Sequence, residues 1–160
     1  MGLEKSADKI REEWARAKCE SIWGAEVLPN PKNYPFDWQV MSPDKNCLAI
    51  CEFKSSNWPL EKLIKEYGGF RVGIRKFTQA YPIPMMSSIP FMLVFKALED
   101  DLYVHSMTKD FLESRSYPIT RFYNQRTGVK NDIEPAVLLT PDMYKKVGED
   151  DFDPLYGVAY

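Results

Sequence analysis

One histidine, His105, and three cysteines, Cys19, Cys47 and Cys51, are all that 160 residues offer to soft or borderline metals. Histidine-rich metal centres are excluded, and an odd cysteine count fits a reducing compartment such as the cytoplasm better than a disulfide framework. Cys47 and Cys51 stand four apart on an expected strand, about 13 Å, too far for a disulfide or for one zinc ion. Long apolar runs are missing too. Stretches such as residues 91–95 fall far short of the roughly 20 residues that cross a bilayer, and the N-terminal stretch is charged where a secretory leader is apolar. No membrane partner is expected. Internal repeats and low-complexity segments are absent. A phosphate loop is absent as well, because Gly68-Gly69-Phe70-Arg71-Val72-Gly73 lacks the lysine and the preceding strand that such a loop needs.

What is present suits one globular domain over 1–160: 44% hydrophobic and 28% charged residues, with a net charge of −2. The charge is unevenly spread. Residues 53–80 carry a net +4 and 109–130 a net +3, while the last thirty carry −5. A polyanion can be held by the basic segments even though the whole chain is acidic.

Residues 4–23 read as an amphipathic helix with a stripe of Ile10, Trp14, Ala17 and Ser21, ended by Gly24. Pro29, Pro31 and Pro35 then form an extended connection into a strand over 36–41. The turn 42–46 leads to a strand over 47–54 that is apolar on both faces and so central. A helix follows Pro59, capped by Ser56 or Asn57, and stops at Gly68-Gly69. Residues 70–81 fit helical spacing best. A hairpin over 91–97 and 102–107, a short helix over 108–115, a polar stretch over 124–134, a strand over 136–140 and a short helix over 141–147 complete the chain. This order indicates an α/β fold, a mixed sheet with helices on it.

The informative residues lie on the first hairpin. With the turn centred between Pro43 and Asn46, Asp37 and Glu52 become direct cross-strand partners, their Cβ atoms about 5 Å apart, an arrangement that costs stability when both are negative. A cation between them removes the cost. Alternation puts Lys54 on the face of Glu52, with the Phe53 carbonyl at the sheet plane. Two carboxylates and a carbonyl suit a hard ion such as Mg²⁺ or Mn²⁺, and a lysine beside it can orient a water for attack on a phosphodiester.

An acidic helix, a strand with Asp37, and Glu52-Phe53-Lys54 on a central strand followed by a helix together resemble the PD-(D/E)XK nuclease superfamily over about residues 10–97. The segment 124–141 is similar to the C-terminal segment of small phage-encoded members. The resemblance implies a restriction-endonuclease-like core with a four-stranded mixed sheet flanked by helices, and Mg²⁺-dependent cleavage of DNA, with Mn²⁺ as substitute. It implies Asp37 and Glu52 as metal ligands, joined by the Phe53 carbonyl, and Lys54 as the residue that positions the water. A dimer is compatible with cutting both strands. The proline that names the motif departs from pattern, standing at Pro35 with Phe36 before Asp37. Many such nucleases add a glutamate from the first helix. Glu13 is placed first for that role and Glu20 second, with Glu12 expected to point away. Lys76, Arg121, Arg126 and Lys130 are the candidates for contact with the nucleic-acid backbone. The rival reading is a non-catalytic nucleic-acid-binding or structural protein that retains the fold.

Overall fold

The computed structural model describes residues 2–123 and 133–148, with residues 2–6 and Tyr123 described by their backbone alone. Helix α1 spans Gly2–Trp23 and buries Ala15, Cys19 and Trp23. These recur at steps of four, and two of them are small, so the helix axis can lie close to the sheet. The expected stripe is rotated away from this face: Ile10 is 69% exposed, and Ala17 and Ser21 are exposed too.

Strands β1 (Glu26–Pro29), β2 (Trp38–Met41), β3 (Cys47–Ser55), β5 (Phe91–Lys96), β6 (Leu102–Met107) and β9 (Lys145–Lys146) form one sheet in the order β1-β2-β3-β5-β6-β9. Only β3 and β5 run parallel; every other neighbour pair is antiparallel. Between β3 and β5 the chain leaves the sheet through α2 (Leu60–Tyr67), β4 (Phe70–Gly73), α3 (Ile74–Ala80) and α4 (Pro82–Met86). After α5 (Lys109–Ser114), strands β7 (Ile119–Tyr123) and β8 (Ile133–Leu139) complete a second antiparallel sheet in the order β4-β8-β7. A 3₁₀ turn, Pro141–Met143, precedes β9.

Alternation along β3 splits the core. Ala49, Cys51 and Phe53 pack with Trp38, Met92 and Val94 under α1. Ile50 points the other way, where Phe91, Leu93 and Phe95 meet Phe70, Val72 and Phe77 from β4 and α3. The fold is thus an α/β arrangement with a mixed sheet flanked by helices, but that sheet has six strands rather than four.

Several elements differ from the sequence reading. The proline-rich connection hides β1, which pairs with β2 from Glu26–Met41 to Pro29–Trp38, Pro29 being its last residue. Residues 70–81 are not one helix: Phe70 and Val72 are buried in a short strand against β8, and Gly73 hands the chain over to α3. A Cβ on Gly69 would stand 1.9 Å from the Leu139 carbonyl oxygen, so only glycine lets β4 begin that close to β8. Neither Ser56 nor Asn57 caps α2; the Leu60 N–H instead donates to Glu99 Oε2 at 3.2 Å. Strand β7 was not anticipated, and β8 starts three residues early despite Pro135. That proline pairs with Arg121 of β7 beyond the end of β4, where no ladder bond is needed on its other side.

Candidate functional site

The hairpin register is the first determinant of the site. Trp38 faces Cys51, Gln39 faces Ile50 and Val40 faces Ala49, the alignment that puts Asp37 level with Glu52. The turn itself closes one step differently, with the Ser42 N–H donating to the Asn46 carbonyl and Met41 opposite Cys47. Leu48 is the extra residue that restores the alignment, a β-bulge. Asp37 lies just before β2 and is fixed from both sides: its N–H donates to the Cys51 carbonyl at 3.0 Å, and its own carbonyl accepts from the Asn30 N–H at 2.8 Å. Its Oδ2 accepts from the Phe53 N–H at 2.8 Å.

Where β3 runs out, a cleft of about 450 Å³ opens, lined by Arg11 and Glu12 of α1, Asp37, Glu52, Lys54 and Lys76 of α3. Phe53 lies in its wall. Glu52 is 3% exposed. Its Oε2 meets Lys76 Nζ at 2.9 Å and Lys54 Nζ at 3.6 Å, whereas its Oε1 is buried without a hydrogen-bond partner. Burial first, then the nearby Asp37 carboxylate, push the Glu52 pKa up to about 7, against the two lysines, which lower it. Lys76 also donates to the Pro35 carbonyl at 2.7 Å, which ties α3 to the segment that carries Asp37.

The glutamates of α1 lie otherwise than the sequence suggests. Glu12, not Glu13, lines the cleft, because the buried face runs through Ala15, Cys19 and Trp23, and Glu12 stands three residues before Ala15 on that face. Burial and the charge of Asp37 raise its pKa, while the Trp38 indole N–H, aimed at Glu12 without closing a full hydrogen bond, opposes the rise. Glu13 points outward into a 2.8 Å ion pair with Arg16. Glu20 accepts from the Val27 N–H at 2.9 Å and so ties α1 to β1. Steps of four from Ala15 to Trp23 were the signal for this face; large side chains such as Ile10 outweighed it.

Of the candidates for nucleic-acid contact, the structure brings Lys76 to the cleft and leaves Arg121 exposed on β7, its carbonyl accepting from Arg71 at 2.9 Å. Arg126 and Lys130 lie outside the described residues. Arg11 was not anticipated. Its guanidinium is held by Asp8 at 2.8 Å and Asn57 at 3.1 Å, and its Nε is buried without a partner.

A family model described as "Phage putative PDDEXK endonuclease" matches residues 2–147. The chain belongs to this phage PDDEXK endonuclease family. No curated protein and no solved structure matches it. The family match takes in both sheets and every residue of the cleft, so β4, β7 and β8 belong to the phage PDDEXK unit along with the hairpin. Among the described residues no helix is long and apolar enough to cross a membrane.

The donor set is testable for a metal. Among the described residues no group of three or more His, Cys, Asp and Glu side chains stands ready around one point. The cleft nevertheless brings Asp37 and Glu52 together with one buried carboxylate oxygen that no donor reaches. Such an oxygen calls for a proton or a cation. Mg²⁺ takes few protein ligands and keeps several waters, so two carboxylates fit it without a third.

Proposed function

We propose that the protein is a divalent-metal-dependent deoxyribonuclease that hydrolyses phosphodiester bonds at the Asp37–Glu52–Lys54 cleft. The observation that carries this reading is the unpartnered Oε1 of buried Glu52 beside the Asp37 carboxylate. Asp37, Glu52 and the Phe53 carbonyl would hold Mg²⁺, for which Mn²⁺ can substitute. When bound, such an ion acidifies a water and stabilises charge on a phosphoryl oxygen. Lys54 Nζ, 3.6 Å from Glu52 and on the same face, orients the attacking water. Lys76 holds Glu52 in place through its 2.9 Å contact and neutralises part of its charge. Glu12 adds a third carboxylate to the cleft and favours cation binding through its proximity to Asp37. Arg11, with a free buried donor, offers the cleft a fixed positive group for a phosphate.

The test is to incubate the protein with supercoiled, linear and branched DNA in Mg²⁺, in Mn²⁺ and in chelator. Cutting is expected with either ion and not with chelator. Asp37→Ala and Lys54→Ala are expected to abolish it while the circular dichroism spectrum stays native. Cutting at the wild-type rate by both variants refutes the reading.

A further inference from the structure

Beyond the cleft, the basic segment of the chain is organised around rings. The Lys62 ammonium lies 4.2 Å from the centre of the Trp58 ring. Trp58 stacks with Tyr67 at 5.5 Å and 25°. The Arg71 guanidinium lies 3.5 Å from the Tyr67 ring centre and 5.9 Å from that of Phe122. A continuous strip of cations and aromatic rings, in the order Lys62, Trp58, Tyr67, Arg71 and Phe122, therefore runs from the end of β3 across α2 to β4 and β7. Trp58 is 36% exposed, and neither Lys62 nor Arg71 has a carboxylate partner among the described residues. In a chain with more acids than bases, cations without carboxylate partners laid on one exposed ring and on half-buried rings beside it need a reason.

The strip begins at the mouth of the cleft. Asn57 lines the cleft and holds Arg11, and Trp58 is the next residue. The Trp58 backbone is fixed from both ends, its N–H donating to Ser56 Oγ at 3.2 Å and its carbonyl accepting from the Leu98 N–H at 2.9 Å. A ring held this firmly offers a stacking surface at little entropic cost. Flat rings flanked by cations complement a nucleic-acid strand whose bases are unpaired, because only such bases expose a face for stacking while their phosphates meet the cations. A paired duplex keeps its base faces covered.

We infer that the Lys62–Trp58–Tyr67–Arg71 strip is a track for single-stranded DNA, so that the substrate of the cleft carries an unpaired strand next to the bond to be cut. The substrate clause rests on the nuclease reading; the track does not. The test measures binding in chelator, where nothing is cut, of a short labelled single-stranded DNA and of the duplex of the same sequence. The wild type is expected to bind the single strand more tightly. Trp58→Ala is expected to weaken that binding about tenfold and to leave duplex binding nearly unchanged, with Trp58→Phe retaining most of the affinity. Arg71→Gln supplies a second variant in case loss of the indole disturbs α2. Single-strand binding at wild-type strength in both Trp58→Ala and Arg71→Gln overturns the track, as does equal affinity of the wild type for strand and duplex. Asp37→Ala separates the two readings, because it is expected to keep the single-strand preference while cutting nothing. A wild type that binds the strand in this way but cuts no DNA refutes the nuclease reading alone.

Discussion

Glu52 and His105 are both buried among the described residues, one an acid and the other a base, and the sheet places them as mirror neighbours. Each is the register partner of Leu93, Glu52 from β3 and His105 from β6, so both project from one face of the sheet, about 10 Å apart. Their surroundings differ. His105 Nδ1 contacts the Met143 carbonyl at 2.8 Å and Nε2 contacts the Tyr117 hydroxyl at 2.6 Å. A carbonyl only accepts, so Nδ1 carries the proton and Nε2 accepts from Tyr117. Both nitrogens are satisfied, and edge-on contacts with Phe111 and Tyr117 complete an apolar wall. Glu52 has two lysines on one oxygen and nothing on the other. What sets Glu52 apart from His105 is not burial but a buried carboxylate oxygen that no donor reaches.

The comparison breaks if the two residues respond alike to mutation. Glu52→Gln is expected to lower cleavage by roughly 10³-fold, because the charge that would hold the ion is gone. Its melting temperature in chelator should equal or exceed that of the wild type, since burial and Asp37 disfavour the Glu52 anion by more than the two lysines favour it, and a neutral amide escapes that cost. His105→Ala is expected to do the reverse, costing about 2–4 kcal/mol by orphaning the Tyr117 hydroxyl and the Met143 carbonyl and by opening a cavity. Cleavage per folded molecule should not change. Thermal melts and initial rates on the same preparations check both.

The pH dependence sharpens it further, because the two groups work in opposite directions. Burial depresses the His105 pKa to about 4, so as pH falls from 6.5 toward 4 the unfolded chain takes up a proton that the native protein refuses. Stability is therefore lost over that window, by up to about 3 kcal/mol, and His105→Gln should flatten the loss. Glu52 sits above its ordinary value, so in chelator the native protein holds a proton that the unfolded chain releases as pH rises from 4.5 through 7. That contribution is present at low pH and fades upward, and Glu52→Gln should remove it. Urea titrations at stepped pH read both slopes.

Much of the site was legible because it depends on local alternation. Asp37, Glu52 and Lys54 follow from one hairpin and the period of a strand, and the structure brings them into one cleft. Even so, a regular turn is not what sets the alignment: the turn closes at Ser42 and Asn46, and Leu48 supplies the missing step. A bulge leaves no mark in a hydrophobic pattern. β1 was hidden by neighbouring prolines, and β7 and the first three residues of β8 by a pairing that only tertiary contact defines. The helix phase failed for a different reason. Hydrophobicity favoured Ile10, whereas close approach to the sheet favours Ala15 and Cys19, whose virtue is small size.

That phase yields the smallest effects and the finest discrimination. One residue along a helix turns a side chain by about 100°, enough to move a carboxylate from the cleft to solvent. Glu12 shares the cleft with Asp37, and its removal is expected to cost between about tenfold and a hundredfold in cleavage, with a matching rise in the Mg²⁺ concentration needed for half-maximal rate. Glu13 meets only Arg16 at an exposed pair, so Glu13→Ala should leave the rate and the Mg²⁺ requirement as they are and cost no more than about 0.5 kcal/mol of stability. Mg²⁺ titrations of the two variants side by side decide the matter. A larger loss for Glu13→Ala than for Glu12→Ala would mean that α1 lies on the sheet in the other phase, with Glu13 and not Glu12 as the third carboxylate of the cleft.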